Sequence, residues 1–565
     1  MGETTPSEDV DAYANRGASR VEPTLEWVAA NATTLSRLAA AITSALVAAP
    51  FLFHIIAGSR AFLGLFEDDY YYYATIADRL VAQGRLTYDG LTTTNGFHPL
   101  WFVGIAALRA VFGRFGDAFY IALTVVAFAS MVVTFELGRR FARALGASPA
   151  LSSGIAAVYA FGTAKLLSNG MECVVAVPLF IWLHLVLANT RVVTPRRALL
   201  IGFVASLAIL ARLDIALFVP LMIVGYVAVA RPPIIHAVRV LPAFCAGGIL
   251  VPLYAAANAL IVGTPFPVSA LAKRMVTEPG FSLSYARGVA FWTVYGSTVA
   301  VVLPLGLLAL VLLVRDRPRE RSASRMVGGL SIVYAFGFFG LNALPGWILF
   351  SWYAFPLAPA LIASLVFICE RWRGLLNLRL QLAVATIVVI LGPALSIRYY
   401  IEHGPEWSTS DNTLLALSYD LADRMKDREG LIAMGAIAGV VGYVTEKPIL
   451  QVEGLVADRR MVEHLRREDH LGDVLREYGA DYLVVSLASA RPEKRDGCYL
   501  VTQPSAEWAG TRTAKMRGEI CSEPIAHFFT PASSNPWSQF PTLETLVWDL
   551  RTARWKDREL VARGN

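Results

Sequence analysis

The sequence predicts a polytopic α-helical membrane protein, with about eleven transmembrane helices, outer juxtamembrane helices and a C-terminal soluble α/β domain. The 565 residues are 55% hydrophobic and only 17% charged, with a mean hydropathy of +0.51. Soluble proteins average about 25% charged residues, so most of this chain is too apolar to be a soluble domain. After about residue 400 the chain becomes polar. Residues 430–436, 448–453 and 481–486 are predicted strands and residues 460–478 a predicted polar helix, an order typical of α/β domains.

These features divide the chain into three predicted parts. Residues 1–37 are polar and are expected to form a disordered cytoplasmic tail. Residues 38–399 are expected to form the transmembrane domain, which includes a large outer loop at 59–116. Residues 400–565 are expected to form an extracytoplasmic α/β domain.

Apolar runs near the roughly 20-residue length that crosses a bilayer define the predicted spans. They are residues 38–58, 118–138, 149–167, 173–190, 197–211, 214–230, 240–262, 290–314, 327–344, 348–369 and 379–397. The apolar stretch 99–113 is a twelfth candidate, but we expect it to lie flat on the outer surface. Only then do the Arg-rich loops all fall on the cytoplasmic side. The prediction is therefore a multi-pass cell-membrane protein with its N-terminus inside and its C-terminus outside.

Charge and cysteine usage exclude some classes of function. The formal charge of +6 comes without a long Lys/Arg stripe, so no nucleic-acid partner is expected. The chain has no CxxC or HExxH motif, which argues against a structural zinc site. Cys498 and Cys521 are able to pair if the tail is extracytoplasmic. Gly435, Gly439 and Gly442 lack the spacing of a dinucleotide fingerprint and indicate a packing turn.

The outer loop carries the most unusual stretches of this apolar chain. EDDYYYY at 67–73 combines adjacent carboxylates with four tyrosines, and TTTNGFHPLW follows at 92–101. Residues 69–83 have helical composition, Gly84 ends the pattern, and Pro99 opens the next helix. The loop is therefore predicted to be helix, turn, helix.

Polar side chains near the ends of spans are costly, so each is a functional candidate. On the predicted outer side they are Asp68, Asp69, His98, Glu172, Arg212, Asp214, Lys273 and Arg274. A carboxylate can accept a proton from an attacking hydroxyl, and cations can hold a phosphate that leaves with negative charge.

Each candidate also has a structural interpretation. These alternatives are helix capping by Asp68, Asp69 and Glu172, an ion pair between Arg212 and Asp214, a hydrogen-bonding role for His98, interfacial snorkelling of Lys273 and Arg274, and an interfacial aromatic belt for the tyrosines.

The pattern EDDYYYYATIADRLVAQGRLTYDG…TTNGFHPLW at 67–101 resembles the first outer loop of GT-C superfamily glycosyltransferases. That superfamily includes protein O-mannosyltransferases, lipid A aminoarabinose transferases and mycobacterial arabinofuranosyltransferases. NGMEC at 169–173, ARLD at 211–214 and PFPVSALAK at 265–273 resemble later motifs of its bacterial members. The resemblance covers about residues 38–400, and many members also carry a C-terminal extracytoplasmic domain.

The resemblance implies an inverting glycosyltransferase that moves a monosaccharide from a polyprenyl-phosphate carrier to an extracytoplasmic glycan, lipid or protein. Asp68 would be the general base. Asp69 would orient the acceptor or bind a divalent cation (Mg, Mn or Ca) if one is needed. Lys273, Arg274 and Arg212 would hold the donor phosphate. The candidates for acceptor or sugar binding are Tyr72, Asn95, His98, Glu172, Asp214 and Tyr353.

The sequence departs from the superfamily at one motif. Related enzymes often have an RYxxP-like pattern in a late helix, whereas this chain has WYAFP at 352–356, so the phosphate contact of that Arg has no counterpart here.

A transporter or flippase of lipid-linked cell-envelope precursors is the alternative function, although no internal repeat supports it. A non-catalytic scaffold whose α/β domain binds a partner is a third. The sugar and the acceptor are not indicated.

Overall fold

The computed structural model describes residues 60–113, 116–190, 192–230, 234–275, 296–315, 323–342, 350–371, 412–487, 492–510, 512–532 and 542–556, with scattered positions between 27 and 58 and residues 277 and 280. Its helices are α1 (Asp68–Gln83), α2 (Pro99–Phe112), α3 (Asp117–Ala144), α4 (Pro149–Ser168), α5 (Cys173–Ala188), α6 (Pro195–Ala211), α7 (Phe218–Ala230), α8 (Ile234–Gly247), α9 (Leu250–Ile261), α10 (Val268–Lys273), α11 (Gly296–Arg315), α12 (Ala323–Asn342), α13 (Leu357–Arg371), α14 (Thr413–Met425), α15 (Ala438–Thr445), α16 (Arg459–Arg467), α17 (Leu471–Glu477) and α18 (Ala506–Ala509). Short 3₁₀ helices lie at Arg60–Leu65, Leu213–Leu217 and Ser351–Ala354. The strands are β1 (Ile432–Met434), β2 (Ile449–Gln451), β3 (Tyr482–Leu487), β4 (Glu493–Arg495), β5 (Cys498–Gln503), β6 (Met516–Ile520), β7 (Ala526–Thr530) and β8 (Leu543–Asp549).

The apolar helices pack together as a bundle. Helix α3 packs against α4 and α5, α6 against α8, and α13 against α11 and α12. Several helices begin at sequence-encoded caps. The Ser148 hydroxyl accepts a hydrogen bond from the Leu151 N–H ahead of Pro149, and Thr194 caps α6 in the same way ahead of Pro195. A side-chain acceptor before an N-terminal proline satisfies the free N–H groups of the first turn.

Fewer helices qualify as complete spans than the sequence predicts. Among the described residues, α3 and α12 are long and apolar enough to cross a membrane, and the bent pair Val238–Gly247 and Leu250–Ile261, which meets at 52°, is a third. The predicted span 214–230 begins as a 3₁₀ helix, and the predicted span 348–369 becomes α-helical only at Leu357. The count of about eleven is therefore not confirmed, and the predicted span 379–397 lies outside the described residues.

The outer loop has the predicted helix, turn, helix form. Helix α1 ends at Gly84, whose φ of 70° lets its N–H bond back to the last turn of the helix. The connection to α2 is held by the buried Asp89 carboxylate, which accepts hydrogen bonds from the N–H groups of Leu91 and Thr92, both at 2.7 Å. The loop is thus a fixed scaffold that presents the acidic first turn of α1.

The C-terminal domain contains a five-stranded sheet with the order β2-β1-β3-β8-β7. Strand β1 runs parallel to β2 and β3, whereas β8 is antiparallel to β3 and β7, so the last strand of the chain lies inside the sheet. The three predicted strands are present, but the predicted helix 460–478 is divided into α16 and α17 because Glu468 adopts a φ of 51°. In a second sheet, β4-β5-β6, the Cys498–Cys521 disulfide forms as the sequence allowed.

Helix α15 joins this domain to the outer loop and to the bundle. The Tyr88 hydroxyl donates to the Ala438 carbonyl at 2.6 Å, and the hydroxyls of Tyr443 and Tyr120 are hydrogen-bonded at 2.6 Å. A Cβ at Gly439 would overlap the backbone oxygen of Asp68. The glycine motif is therefore a packing device, as predicted.

The four consecutive tyrosines pack in the same contact between the soluble domain and the outer loop. Tyr70, Tyr71, Tyr72 and Tyr73 are all buried, and the Tyr71 ring packs against Tyr443 with centroids 5.0 Å apart. An interfacial belt would leave the rings at the lipid surface, so that alternative is wrong for these residues. Aromatic rings with a polar end suit this position between two domains.

We predict that Gly439→Ala loosens the joint between α15 and the outer loop. The added methyl group overlaps the Asp68 backbone, and overpacking of this kind costs about 1–3 kcal/mol. Amide hydrogen exchange should therefore become faster in residues 436–445. Gly340→Ala is the matched control, because Gly340 lies in a helix with no atom within 4 Å of the added Cβ. Equal exchange in both variants would contradict close packing at Gly439.

Candidate active site

Asp68 is the first residue of α1, and its carboxylate is bound by the soluble domain. Its Oδ2 accepts a hydrogen bond from the Gly439 N–H at 3.2 Å, and its Oδ1 accepts one from the Val440 N–H at 2.8 Å. Asp68 therefore caps a helix, but the helix is α15 rather than its own. Each carboxylate oxygen has two lone pairs, so each remains able to accept one more hydrogen.

The surroundings of Asp68 move its pKa close to neutral. Burial raises the pKa to about 7, the two backbone N–H groups oppose this rise, and the negative charge of Asp69 adds to it. The Tyr72 hydroxyl faces the same carboxylate and favours its ionised form. A carboxylate with a pKa near the working pH is well suited to accept a proton in a reaction.

Asp69, the next residue, is affected by the charge of a lysine on another element. Burial raises its pKa to about 6, the positive charge of Lys273 opposes this, and Glu172 and Glu67 raise it further. The two neighbouring aspartates thus have different partners. Asp68 is held by backbone N–H groups, whereas Asp69 is balanced by a cation.

Lys273 lies at the end of α10, in a half-buried position. Its Nζ donates to the Tyr353 hydroxyl at 3.1 Å, and Asp69 and Tyr353 raise its pKa against the effect of burial. Asn95 fixes α10 to the outer loop, because its Oδ1 accepts from the Val268 N–H at 3.0 Å and its Nδ2 donates to the Phe266 carbonyl at 3.2 Å. Asn95 therefore positions the lysine segment.

Arg274 follows Lys273 and is exposed, so the two neighbouring cations differ in environment. Both remain candidates for holding a phosphate, one from within the site and one from its edge. An exposed guanidinium keeps its charge and its fork of N–H donors available to an incoming anion.

Arg212 is engaged in the fold. It is 1% exposed, donates to Glu172, and donates to Asp214 at 3.1 Å. Its guanidinium lies 4.6 Å from the ring centroids of both Tyr353 and Phe355. The predicted pair with Asp214 is present, but Glu172 is a second and more buried partner. Two carboxylates already neutralise the Arg212 guanidinium. We therefore do not expect it to be a main contact of a donor phosphate.

Glu172 and His98 complete this buried network. The Glu172 side chain makes no capping hydrogen bond to α5, so that alternative is wrong, and its Oε2 accepts instead from the Tyr73 hydroxyl at 3.2 Å. The His98 Nδ1 accepts from the Leu213 N–H at 3.3 Å, and burial lowers its pKa. His98 is therefore a neutral, hydrogen-bonded residue that holds the helix break after α6.

Glu453 and Lys515 of the soluble domain belong to the site and escaped the sequence analysis. Burial raises the pKa of Glu453 to about 8, and the charges of Asp69 and Asp68 add to this, while Lys273 and Lys515 oppose it. Glu453 follows β2 by two residues, at the carboxyl end of a parallel strand. Ligands of open α/β sheets bind at that edge, and this signal was present in the sequence.

The donor set gives no support for a bound cation. Across the described residues, no group of three or more His, Cys, Asp or Glu side chains is arranged to hold a metal ion. Both Asp68 oxygens already accept backbone N–H groups. We therefore assign no step to a divalent cation.

An apolar cavity lies beside the acidic loop, between α3, α4 and α5. It is lined mainly by hydrocarbon and aromatic side chains, among them Phe66, Trp101, Met131, Leu167 and Val174. Apolar groups with no charged partner line its wall.

We predict that Arg212→Met strongly destabilises the protein, because it leaves the Glu172 carboxylate buried without its cation. Breaking a buried pair costs about 3–5 kcal/mol. Adding Glu172→Gln should recover part of the loss, as measured by thermal unfolding in detergent. Asp214→Asn is the control, since Asp214 is partly exposed and should cost about 1 kcal/mol or less. Similar unfolding temperatures for Arg212→Met and Asp214→Asn would contradict the assigned network.

No protein-family model matches the sequence. No curated protein matches it either. Solved structures with a similar fold include the oligosaccharyltransferase of Archaeoglobus fulgidus in the apo form, at 12% identity over 80% of this chain and 69% of that chain, with a TM-score of 0.48. ArnT from Cupriavidus metallidurans bound to undecaprenyl phosphate has 11% identity over 88% of this chain and 97% of that chain, with a TM-score of 0.43.

Mycobacterial arabinofuranosyltransferase AftD has 18% identity over 84% of this chain, which spans 37% of AftD, with a TM-score of 0.38. Since each of these TM-scores is below 0.5, the likeness carries no argument about substrate or mechanism.

Proposed function

We propose that this protein is a membrane-bound inverting glycosyltransferase. It would move a monosaccharide from a polyprenyl-phosphate carrier to a hydroxyl group of a glycan, lipid or protein acceptor. The observation that carries the proposal is the pairing of two groups in one site. A fixed carboxylate with a pKa of about 7, Asp68, lies beside Asp69, a second carboxylate on which the positive charge of Lys273 acts.

In the proposed step, the acceptor oxygen attacks the anomeric carbon while a free lone pair of Asp68 takes its proton. The bond between the anomeric carbon and the phosphate oxygen breaks, and its electron pair stays on the phosphate. The products are the new glycoside, polyprenyl phosphate with one more negative charge, and neutral Asp68. Attack from the face opposite the leaving group inverts the anomeric centre.

Lys273 and Arg274 are the proposed contacts of the donor phosphate. The phosphate gains charge as it leaves, so a positioned cation stabilises the transition state more than the ground state. Asp69 balances Lys273 before the donor binds and orients the acceptor afterwards. Arg212 is better described as structural support, since Glu172 and Asp214 already hold it.

The surroundings suit a lipid carrier at a membrane surface. The apolar helices provide the membrane domain. The disulfide between Cys498 and Cys521 is typical of an oxidising compartment, which supports an extracytoplasmic soluble domain. We place the active site on that outer side of the cell membrane.

We predict that Asp68→Asn lowers sugar transfer by about 10²-fold or more, the usual contribution of a general base. The assay uses liposomes with purified protein and a panel of radiolabelled polyprenyl-phosphate sugars, and it measures glycosylated product and free polyprenyl phosphate. Asn cannot accept both N–H groups of α15, so docking is weakened as well. Gly439→Ala separates the effects, because it disturbs docking and keeps the carboxylate.

Each result of this assay has a distinct meaning. Full activity in Asp68→Asn would remove Asp68 as the base. Equal losses in Asp68→Asn and Gly439→Ala would assign the loss to docking. Donor movement between leaflets without any transfer would favour the transporter or flippase.

We predict that kcat/KM of the wild type rises about tenfold per pH unit at low pH and levels off above about pH 7. The base must be ionised, and burial raises the pKa of Asp68 to about 7. Lys273→Met should not move the rise to higher pH, because Lys273 lowers the pKa of Asp69, whereas the pKa of the base Asp68 is set by burial, the N–H groups of α15 and Asp69. The donor KM should instead increase about tenfold or more through the lost charged contact.

The control for Lys273→Met is Lys494→Met, in which the lost lysine is an exposed partner of Glu523 in the soluble domain. Its pH profile and donor KM should match the wild type. An unchanged donor KM in Lys273→Met would exclude Lys273 from the phosphate site.

A further inference from the structure

Glu453 has a carboxyl oxygen whose burial the fold does not explain. The residue is 2% exposed. Its Oε2 accepts from the Gln451 amide at 3.3 Å, whereas its Oε1 has no hydrogen-bond partner among the residues that the structure describes. A buried polar atom without a partner costs about 1–3 kcal/mol. Such atoms in native proteins usually have a role, and binding a ligand is one.

The backbone around Glu453 packs closely against the elements that form the proposed site. A Cβ at Gly96 of the outer loop would overlap the Leu455 carbonyl, and one at Gly454 would lie 3.3 Å from the Ala272 Cβ, next to Lys273. The segment after β2 is thus in contact with both the outer loop and α10. Only glycine at these positions permits so close an approach.

Four charged groups face Glu453 from three directions. Asp68 and Asp69 act on it from α1, Lys273 from α10, and Lys515 from the strand segment that leads into β6. The soluble domain therefore supplies a third carboxyl group to the same site.

Further buried polar groups lie at this edge of the soluble domain. A Cβ at Gly435, directly after β1, would overlap the side-chain amide of Gln503. This amide therefore packs against the carboxyl end of β1. Ser505 is also buried, and its hydroxyl is without a partner within the described part of the chain. Amide, hydroxyl and carboxyl groups together provide the donors and acceptors that match the hydroxyl groups of a carbohydrate.

We propose that Glu453 contacts the acceptor substrate, and that the acceptor is a carbohydrate. The Glu453 Oε1 hydrogen-bonds one sugar hydroxyl of the acceptor, next to the hydroxyl that Asp68 deprotonates. The soluble domain then forms one wall of the acceptor subsite. This inference rests on the proposed glycosyltransferase function and narrows its acceptor from a glycan, lipid or protein to a glycan.

The protonation of Glu453 agrees with this role. Burial raises the pKa of Glu453 to about 8, and the negative charges of Asp69 and Asp68 contribute to this rise. The side chain therefore carries a proton at neutral pH. A neutral carboxyl group adds no further negative charge to the pair at 68–69. It is also able to donate a hydrogen bond to a hydroxyl oxygen.

The test measures carbohydrate binding without transfer. Full-length protein in nanodiscs is mixed with methyl glycosides of glucose, mannose, galactose and arabinose, and saturation transfer from protein to ligand is measured by NMR. We expect at least one glycoside to bind the wild type. Glu453→Met and Glu453→Asp should weaken that binding about tenfold, the effect of one lost hydrogen bond. Glu453→Gln should retain it, because an amide also donates.

Glu463→Met is the matched control, since Glu463 lies on α16 at a partly exposed position and pairs with Arg459. It should bind as the wild type does. Hydrogen exchange of α15 checks that each variant keeps its docking, and Glu453→Asp keeps the test valid if the Met variant is misfolded. Absence of binding by the wild type, or equal binding by Glu453→Met, Glu453→Asp and the wild type, would overturn the proposal.

The transfer assay separates this proposal from the proposed function. If the wild type transfers sugar, Glu453→Met should raise the KM for the acceptor and leave the KM for the donor unchanged. An increase in donor KM alone would contradict the acceptor role. If the wild type binds glycosides but transfers no sugar from any donor, the glycosyltransferase proposal fails while carbohydrate binding at Glu453 stands.

Discussion

The contact between the Asp68 carboxylate and the first turn of α15 is the interaction on which the site depends. Two backbone N–H groups and the positive end of a short helix favour the ionised carboxylate, while burial opposes it. The opposing effects leave Asp68 neither strongly acidic nor permanently protonated. The same contact joins the soluble domain to the outer loop, so the chemistry of one side chain and the assembly of two domains are coupled.

The charged residues around this contact fall into two layers with different duties. Arg212, Glu172 and Asp214 balance one another in a buried layer at the helix break, where the charges hold the fold together. Asp69 and Lys273 form a less buried layer, in which the positive charge of Lys273 lowers the pKa of Asp69 against the effect of burial. In the proposed reaction the donor phosphate would bind in this less buried layer and leave the ion pairs of Arg212 in place.

Local signals made part of this structure predictable. Capping residues and prolines marked the starts of α4 and α6, and the spacing of the C-terminal glycines indicated packing. The Arg212–Asp214 pair was visible because the residues are near neighbours, whereas Glu172 is distant in sequence. Composition also cannot distinguish a tyrosine at a lipid interface from one between two domains. Glu453 was missed because a single acid after a strand has the same local pattern as a solvated loop residue.

The position of β8 has a consequence for the order of biosynthesis. Among the described residues this strand comes last in the sequence, yet it lies between β3 and β7. The sheet that supports α15 therefore cannot close until residues 543–549 have been synthesised. Asp68 is translated early, whereas the N–H groups of Gly439 and Val440 that bind its carboxylate lie 371 and 372 positions later in the sequence. A chain interrupted before residue 543 would carry the Asp68 carboxylate on its outer loop but would lack the strand that completes the supporting sheet.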